Sequence, residues 1–155
     1  MKGQSQLEYI VAMVIFVTIT IFVTLQIAKS VPYYHTNSLE NRLNNDCLRI
    51  SENMIKDSKL MYGFAKRPYE LNYTKLYEFN DTCDDISNYD QIKNNMSLEA
   101  ERDFQLKVQV QDSSGSTIFS FVCGRKYVPS QSIVATVERH AITDGNSTKI
   151  ILNVW

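Results

Sequence analysis

Three cysteines carry the most reactive side chains of this sequence of 155 residues. Cys47, Cys83 and Cys123 form no Cys-x-x-Cys pair, and the two histidines lie far apart, so a structural zinc site has little support. Outside the cell, an odd count predicts one disulfide and one free thiol; in a reducing compartment all three would be small apolar residues. Because Cys83 and Cys123 fall in the expected globular part and Cys47 falls on an apolar helical stripe, we expect a Cys83–Cys123 bridge.

The acidic and hydroxyl side chains give little support for a metal site or a catalytic site. Asp81, Asp84 and Asp85 lie close together but lack the spacing of a calcium-binding loop, so we expect a solvated acidic loop over residues 81–90. Serines surround Gly115 without a G-x-S-x-G motif or a paired base, which is typical of a turn. The sequence shows no catalytic constellation, and we expect neither an enzyme, nor a cofactor, nor a metal site.

Asparagine offers candidate modification sites. Sequons of the form Asn-x-Ser/Thr begin at Asn72, Asn80, Asn95 and Asn146. A chain of this composition contains roughly two by chance, so the excess is small. These four residues are candidate N-glycosylation sites and agree with an extracellular location for this part of the chain.

The charges of the chain are nearly balanced, with 16 basic and 17 acidic residues and a net charge of −1. Proteins that bind nucleic acid through phosphate contacts carry a basic excess, which is missing here. We therefore expect no nucleic-acid partner.

The longest uncharged stretch separates Glu8 from Lys29 and comprises the twenty residues 9–28. A helix of that length spans about 30 Å, the thickness of the hydrocarbon core of a bilayer. Its Val, Ile and Thr residues suit a strand, but strands average only about five to six residues. The stretch is also too long for the core of a secretory signal, and no A-x-A site follows it. It therefore predicts a membrane or filament helix.

Beyond Pro32 the hydrophobic pattern becomes one-sided. An apolar stripe at steps of three and four residues predicts an amphipathic helix, and its members are Leu39, Leu43, Cys47, Ile50 and Met54. We therefore expect one long helix over residues 4–66, hydrophobic over 9–28 and amphipathic over 33–64.

The C-terminal part, residues 67–155, predicts a small β-rich head domain. Residues 67–100 have no clear period and include at most a short strand, whereas strict alternation begins at Phe104. Turns at residues 112–116 and 144–146 divide the rest into two hairpins, and hence an antiparallel sheet. The apolar face of that sheet needs a cover, which the helical stripe provides. The expected fold class is α+β, with a long N-terminal helix packed on a small antiparallel sheet.

The N-terminal segment K-G-Q-S-Q-L-E-Y, residues 2–9, stands immediately before the uncharged stretch. It resembles the archaeal type IV pilin-like proteins that carry a class III signal peptide. The resemblance implies that a prepilin peptidase removes residues 1–3 as a leader by cutting between Gly3 and Gln4. It also implies that Glu8, the fifth residue of the mature chain, is an assembly residue. The match covers residues 2–28, and beyond them only the architecture is similar.

This resemblance implies a structural role, as a major or minor pilin in a cell-surface filament. The implied partners are other pilin copies, the prepilin peptidase, the pilus assembly machinery and, before assembly, membrane lipid. Glu8 would pair with the terminal amine of a neighbouring subunit; otherwise it is a charge at headgroup level. The alternative function is a single-pass membrane-anchored extracellular binding domain that never polymerises.

Overall fold

A computed structural model describes residues 2–130 and 132–155 of the chain, with side chains from Glu8 onward except at positions 32, 33, 35 and 86. The chain divides into two compact units, Met1–Leu39 and Glu40–Trp155. The first unit is helical, and the second contains the end of the same helix and all of the sheet. The molecule is therefore an α+β protein, as the hydrophobic pattern predicts.

Helix α1 spans Lys2–Lys56 and accounts for all of the first unit that the structure describes. The β-branched residues in it do not prevent helix formation. The hydroxyls of Thr18, Thr20 and Thr24 donate to backbone carbonyls four residues earlier, each at 2.8 Å. These bonds satisfy the polar part of each threonine within the helix itself. The predicted helix over residues 9–28 is confirmed.

The C-terminal end of α1 differs from the sequence prediction. The helix ends at Lys56, and the predicted extension to residue 66 is wrong. Asp57 Oδ1 accepts the N–H two residues later at 2.7 Å, which starts a turn. The chain then folds back, and the Phe64 N–H donates to the Met54 carbonyl at 2.9 Å. Carbonyls at a helix end need such partners, and the returning chain supplies them. The apolar spacing continues to Phe64 because that residue joins the same core.

A mixed sheet of six strands forms the body of the second unit. The strands are β1 (Ala65–Arg67), β2 (Glu70–Leu71), β3 (Phe104–Gln111), β4 (Thr117–Gly124), β5 (Ala135–Thr143) and β6 (Asn146–Val154). Their order is β1-β2-β5-β6-β3-β4, and every neighbouring pair is antiparallel except β2 and β5. The two predicted hairpins are present as β3–β4 and β5–β6. Gly115 and Gly145 turn them with φ of +83° and +84°, angles that favour glycine.

Residues 67–100 contain the short strand that the sequence allowed, β2, and two helices that it did not predict. Helix α2 spans Tyr73–Asp84 and helix α3 spans Tyr89–Asn95. Asn72 caps α2 by accepting the Thr74 N–H at 2.9 Å. The aromatic spacing that resembled alternation belongs to this helix, which buries Leu76 and Phe79.

The core lies between one face of the sheet and the last part of α1. The stripe residues Leu43, Cys47, Ile50 and Met54 are at most 2% exposed. The Cys47 thiol donates to the Leu152 carbonyl of β6 at 3.2 Å, so helix and sheet are in direct contact here. Alternate strand residues complete the core, namely Phe104, Leu106, Val108, Val110, Ile150, Leu152 and Val154. The prediction that the stripe covers the apolar sheet face is confirmed from Leu43 to Met54, whereas Leu39 is 37% exposed.

Candidate functional site

The largest unexplained surface of the molecule is the apolar part of α1 between Glu8 and Lys29. Its large apolar side chains are between 44% and 71% exposed, and they point to all sides of the helix. They are Tyr9, Ile10, Val11, Met13, Val14, Ile15, Phe16, Val17, Ile19, Ile21, Phe22, Val23, Leu25 and Ile27. Soluble monomers rarely expose a continuous apolar patch larger than a few hundred square ångströms, on the order of 300–600 Å². This surface, called the apolar helix segment below, therefore needs a non-aqueous partner.

The apolar helix segment has the properties of a membrane anchor or a signal sequence. By length and composition, this one helix is suited to crossing a membrane, and none of its most apolar stretch is buried within the chain. A helix satisfies its own backbone hydrogen bonds, as hydrocarbon requires. The same property suits a helix that is transferred from lipid into a bundle of similar helices.

The predicted assembly residues lie at the beginning of this segment. The backbone at Gly3 and Gln4 belongs to α1, but their side chains lie outside the described residues. Glu8 is described and exposed. In the described part of the chain, no ion pair involves Glu8, and none involves Lys29 at the other end of the segment. Both charges that bracket the segment are therefore available to another molecule.

The cysteines follow the expected pairing. Cys83 at the end of α2 and Cys123 in β4 form a disulfide, with their Cα atoms 5.3 Å apart. The bond fixes α2 to a strand at the edge of the sheet. Cys47 is free and fully buried, and burial raises the pKa of its thiol from 9.0 to about 12. A buried neutral thiol is a poor nucleophile, so Cys47 serves packing rather than chemistry.

The four sequon asparagines are dispersed over the second unit. Asn72 caps α2, Asn80 lies within α2, Asn95 ends α3, and Asn146 begins β6. Asn95 is exposed and the other three are partly buried. They form no common site, and their use as glycosylation sites stays a prediction.

The acidic residues near Cys83 do not form the expected loop. Asp81 and Asp84 lie in α2, and Asp85 caps its C-terminal end. Hydrogen bonds from Ser87, first from its hydroxyl and then from its backbone N–H, lower the pKa of Asp85. Among the residues that the structure describes, no cluster of three or more His, Cys, Asp or Glu side chains could hold a metal ion. The expected loop is wrong because α2 continues to Asp84 and α3 begins at Tyr89, but the acidic side chains are solvated as expected, since Asp81, Asp84, Asp85 and Asp90 are all exposed.

A cluster of ion pairs around the buried Arg102 was not predicted from the sequence. Arg102 is only 5% exposed and contacts Asp46 of α1 as well as Glu99, the latter at 3.0 Å. Lys93 is 8% exposed and donates to the Ala100 carbonyl at 2.6 Å. The contact between Arg102 and Asp46 fastens the segment after α3 to the long helix. No periodic signal marks it, because it joins residues far apart in the sequence.

A cleft of about 430 Å³ opens beside the disulfide. Tyr89 lines this cleft, and its ring stacks on the ring of Phe104 with centroids 5.4 Å apart. The Arg125 guanidinium lies 5.2 Å from the centroid of the Tyr89 ring. The Tyr89 hydroxyl donates to Asp103 at 2.7 Å. Burial, followed by that hydrogen bond, raises the pKa of Tyr89 to about 12. Asp103 also accepts from the Arg125 Nε at 3.2 Å, so the Tyr89, Asp103 and Arg125 side chains contact one another and join the start of β3 to the end of β4.

Comparison with known proteins gives one match. The profile of a family of unknown function (DUF7287) matches residues 1–155, the whole chain. No curated protein and no solved structure is significantly similar to it.

Proposed function

We propose that this chain, which belongs to the family of unknown function DUF7287, is a major or minor pilin of an archaeal type IV pilus-like filament. In this proposal a prepilin peptidase cuts between Gly3 and Gln4 while the chain is held in the membrane. The pilus assembly machinery then builds the mature subunits into a filament at the cell surface. The observation that carries the proposal is the apolar helix segment, which is exposed on all sides.

The apolar helix segment presents large apolar side chains on every side. A surface helix of a soluble domain has a solvent side, and this one has none from Tyr9 to Ala28. Lipid can cover such a helix, and so can several copies of the same helix packed side by side. The second environment requires that the helix leave the bilayer, which a helix with satisfied backbone bonds can do.

The charge at Glu8 supports assembly rather than simple anchoring. Cleavage after Gly3 would place a free amine on Gln4, four residues and about one turn before Glu8. A carboxylate that enters an apolar bundle needs a cationic partner. In a staggered bundle, Glu8 of one copy can meet the amine of the next copy and fix their axial register.

The second unit supports an extracellular location for the head domain. Glu40–Trp155 has its own hydrophobic core and a disulfide between α2 and β4. Disulfides persist in oxidising surroundings and are rare in the cytosol. The four sequons agree with the same location.

The alternative is a membrane-anchored extracellular binding domain that never polymerises. It would use the apolar helix segment as a permanent single-pass anchor. Such an anchor needs no cleavable glycine at position 3 and no carboxylate at Glu8. Gly3, Gln4 and Glu8 together therefore favour the pilin over the anchor.

Immunogold electron microscopy tests the proposal. Antibodies against the head domain should decorate thin filaments on the producing cells, and deletion of the gene should remove the decorated filaments. Uniform labelling of the cell envelope, with no decorated filament, would favour the anchored alternative and refute the proposed pilin function.

A substitution at Glu8 tests the role of its charge in the same assay. Glu8→Gln should leave expression, membrane insertion and cleavage intact while filaments disappear, because removing one partner of a buried charge pair costs about 3–5 kcal/mol. Glu8→Asp should weaken assembly less. The matched control is Glu40→Gln, an exposed acid of α1 outside the apolar helix segment, which should leave filaments unchanged. Normal filaments in Glu8→Gln cells would exclude the charge mechanism.

A further inference from the structure

We propose that Lys29 of one copy forms an ion pair with Glu8 of an axially displaced second copy, an inference that rests on the proposed assembly through α1. The amine created by cleavage would then share the carboxylate with a second cation. The contact would set the distance by which neighbouring subunits are displaced along the filament.

The placement of the two charges carries this inference. Glu8 and Lys29 have opposite signs, and the residues between them carry no charge. They are 21 residues apart, so they lie roughly 31 Å apart along the axis and about 60° apart around it, at 1.5 Å and 100° per residue. They therefore face the same side of the helix from the two ends of the apolar helix segment.

One chain cannot satisfy this pair by itself. A lysine side chain reaches only about 6 Å from its backbone, far less than the separation along a continuous helix. Both side chains are exposed. A parallel copy displaced by about 31 Å would bring the two charges to the same level. Charge complementarity thus selects a second copy of this chain as the partner.

Gln26 gives the proposed contact a further hydrogen-bond donor. It lies 18 residues after Glu8, which is five helical turns, and so it lies on the same face as Glu8. Gln26 and Lys29 line one groove on the helix surface. A buried carboxylate is stabilised only when its remaining lone pairs are also satisfied. The Gln26 amide and the Lys29 ammonium together can meet that requirement.

Carbodiimide cross-linking of wild-type filaments tests the contact directly. A membrane-permeant carbodiimide joins a carboxylate to an amine that touches it, and digestion followed by mass spectrometry identifies the linked peptides. We expect a Glu8–Lys29 link, which can arise only between copies. Filaments that yield a link from Glu8 to the Gln4 amine alone, or no link from Glu8, would overturn the inference.

Substitutions at Lys29 give a second measurement. Lys29→Gln should lower the yield of filaments at least about tenfold, and Lys29→Arg should restore most of it, because the guanidinium keeps the charge. The control is Lys107→Gln, an exposed lysine of β3, with unchanged yield. Normal yield from Lys29→Gln would show that Lys29 merely anchors the helix at the membrane interface, which overturns the inference. Wild-type cells without any filament of this chain would instead refute the proposed function.

Discussion

Cys47, Cys83 and Cys123 show how location decides the role of one residue type. The disulfide joins a helix to an edge strand, whereas the free thiol is fully buried between α1 and the sheet. Burial raises the pKa of Cys47, which keeps the thiol neutral and unreactive at physiological pH. Two of the three cysteines thus form a covalent bond between elements, and the third is a packing residue.

The disulfide should stabilise the second unit substantially. It closes a separation of 40 residues, for which the chain-entropy relation gives about 4 kcal/mol. We expect Cys83→Ser with Cys123→Ser to lower the free energy of unfolding by that order, measured by urea denaturation of the full chain in detergent. Cys47→Ser serves as a control for the loss of a cysteine without loss of a bridge.

Peptide mapping without reduction provides the matching covalent readout. The expected product is a linked pair of peptides that contain Cys83 and Cys123. A link from Cys47 to either of them would contradict the structure.

At the scale of single residues, location along the chain was enough to choose the disulfide pair. The Cys47 stripe could be read from its spacing, which left the other two cysteines as partners. The pairing of Arg102 with Asp46 could not be read in this way. It depends on how the segment after α3 packs on α1, and that packing has no local signature in the sequence.

At the scale of elements, the last part of α1 supplies one side of the core of the second unit. Ile50 of α1 is fully buried, and Ile142 of β5 is 55% exposed. Ile50→Ala should lower the free energy of unfolding by about 2–5 kcal/mol through lost burial and the cavity left behind. Ile142→Ala, the matched control, should cost less than about 1 kcal/mol. Similar losses for the two variants in urea denaturation would contradict the proposed cover of the sheet by α1.

The elements that could be predicted are those with long, regular patterns. The alternation from Phe104 and the turns at Gly115 and Gly145 determine both hairpins, because each strand buries one face. Helix α2 was missed since its twelve residues bury only two side chains, Leu76 and Phe79. The end of α1 was missed because Phe64 keeps the helical spacing after the chain has turned.

At the scale of the whole molecule, the two units make different demands on their surroundings. Glu40–Trp155 buries its own hydrophobic core. Met1–Leu39 contains the apolar helix segment, which has no buried side within the chain. Membrane lipid would cover this segment before assembly, and other copies of the chain would cover it afterwards. The sequence placed the division at residues 66 and 67, whereas the observed second unit begins at Glu40 because the last part of α1 belongs to the core of the sheet domain.

Intact-mass analysis of filaments sheared from the cell surface tests whether this chain is processed and assembled. We expect this chain in the sheared fraction, with a mass that corresponds to a subunit beginning at Gln4. Such a subunit has been processed and has left the membrane, and its helix has therefore exchanged lipid for other subunits. A chain that stays with the membrane fraction and still carries residues 1–3 would refute the proposed function.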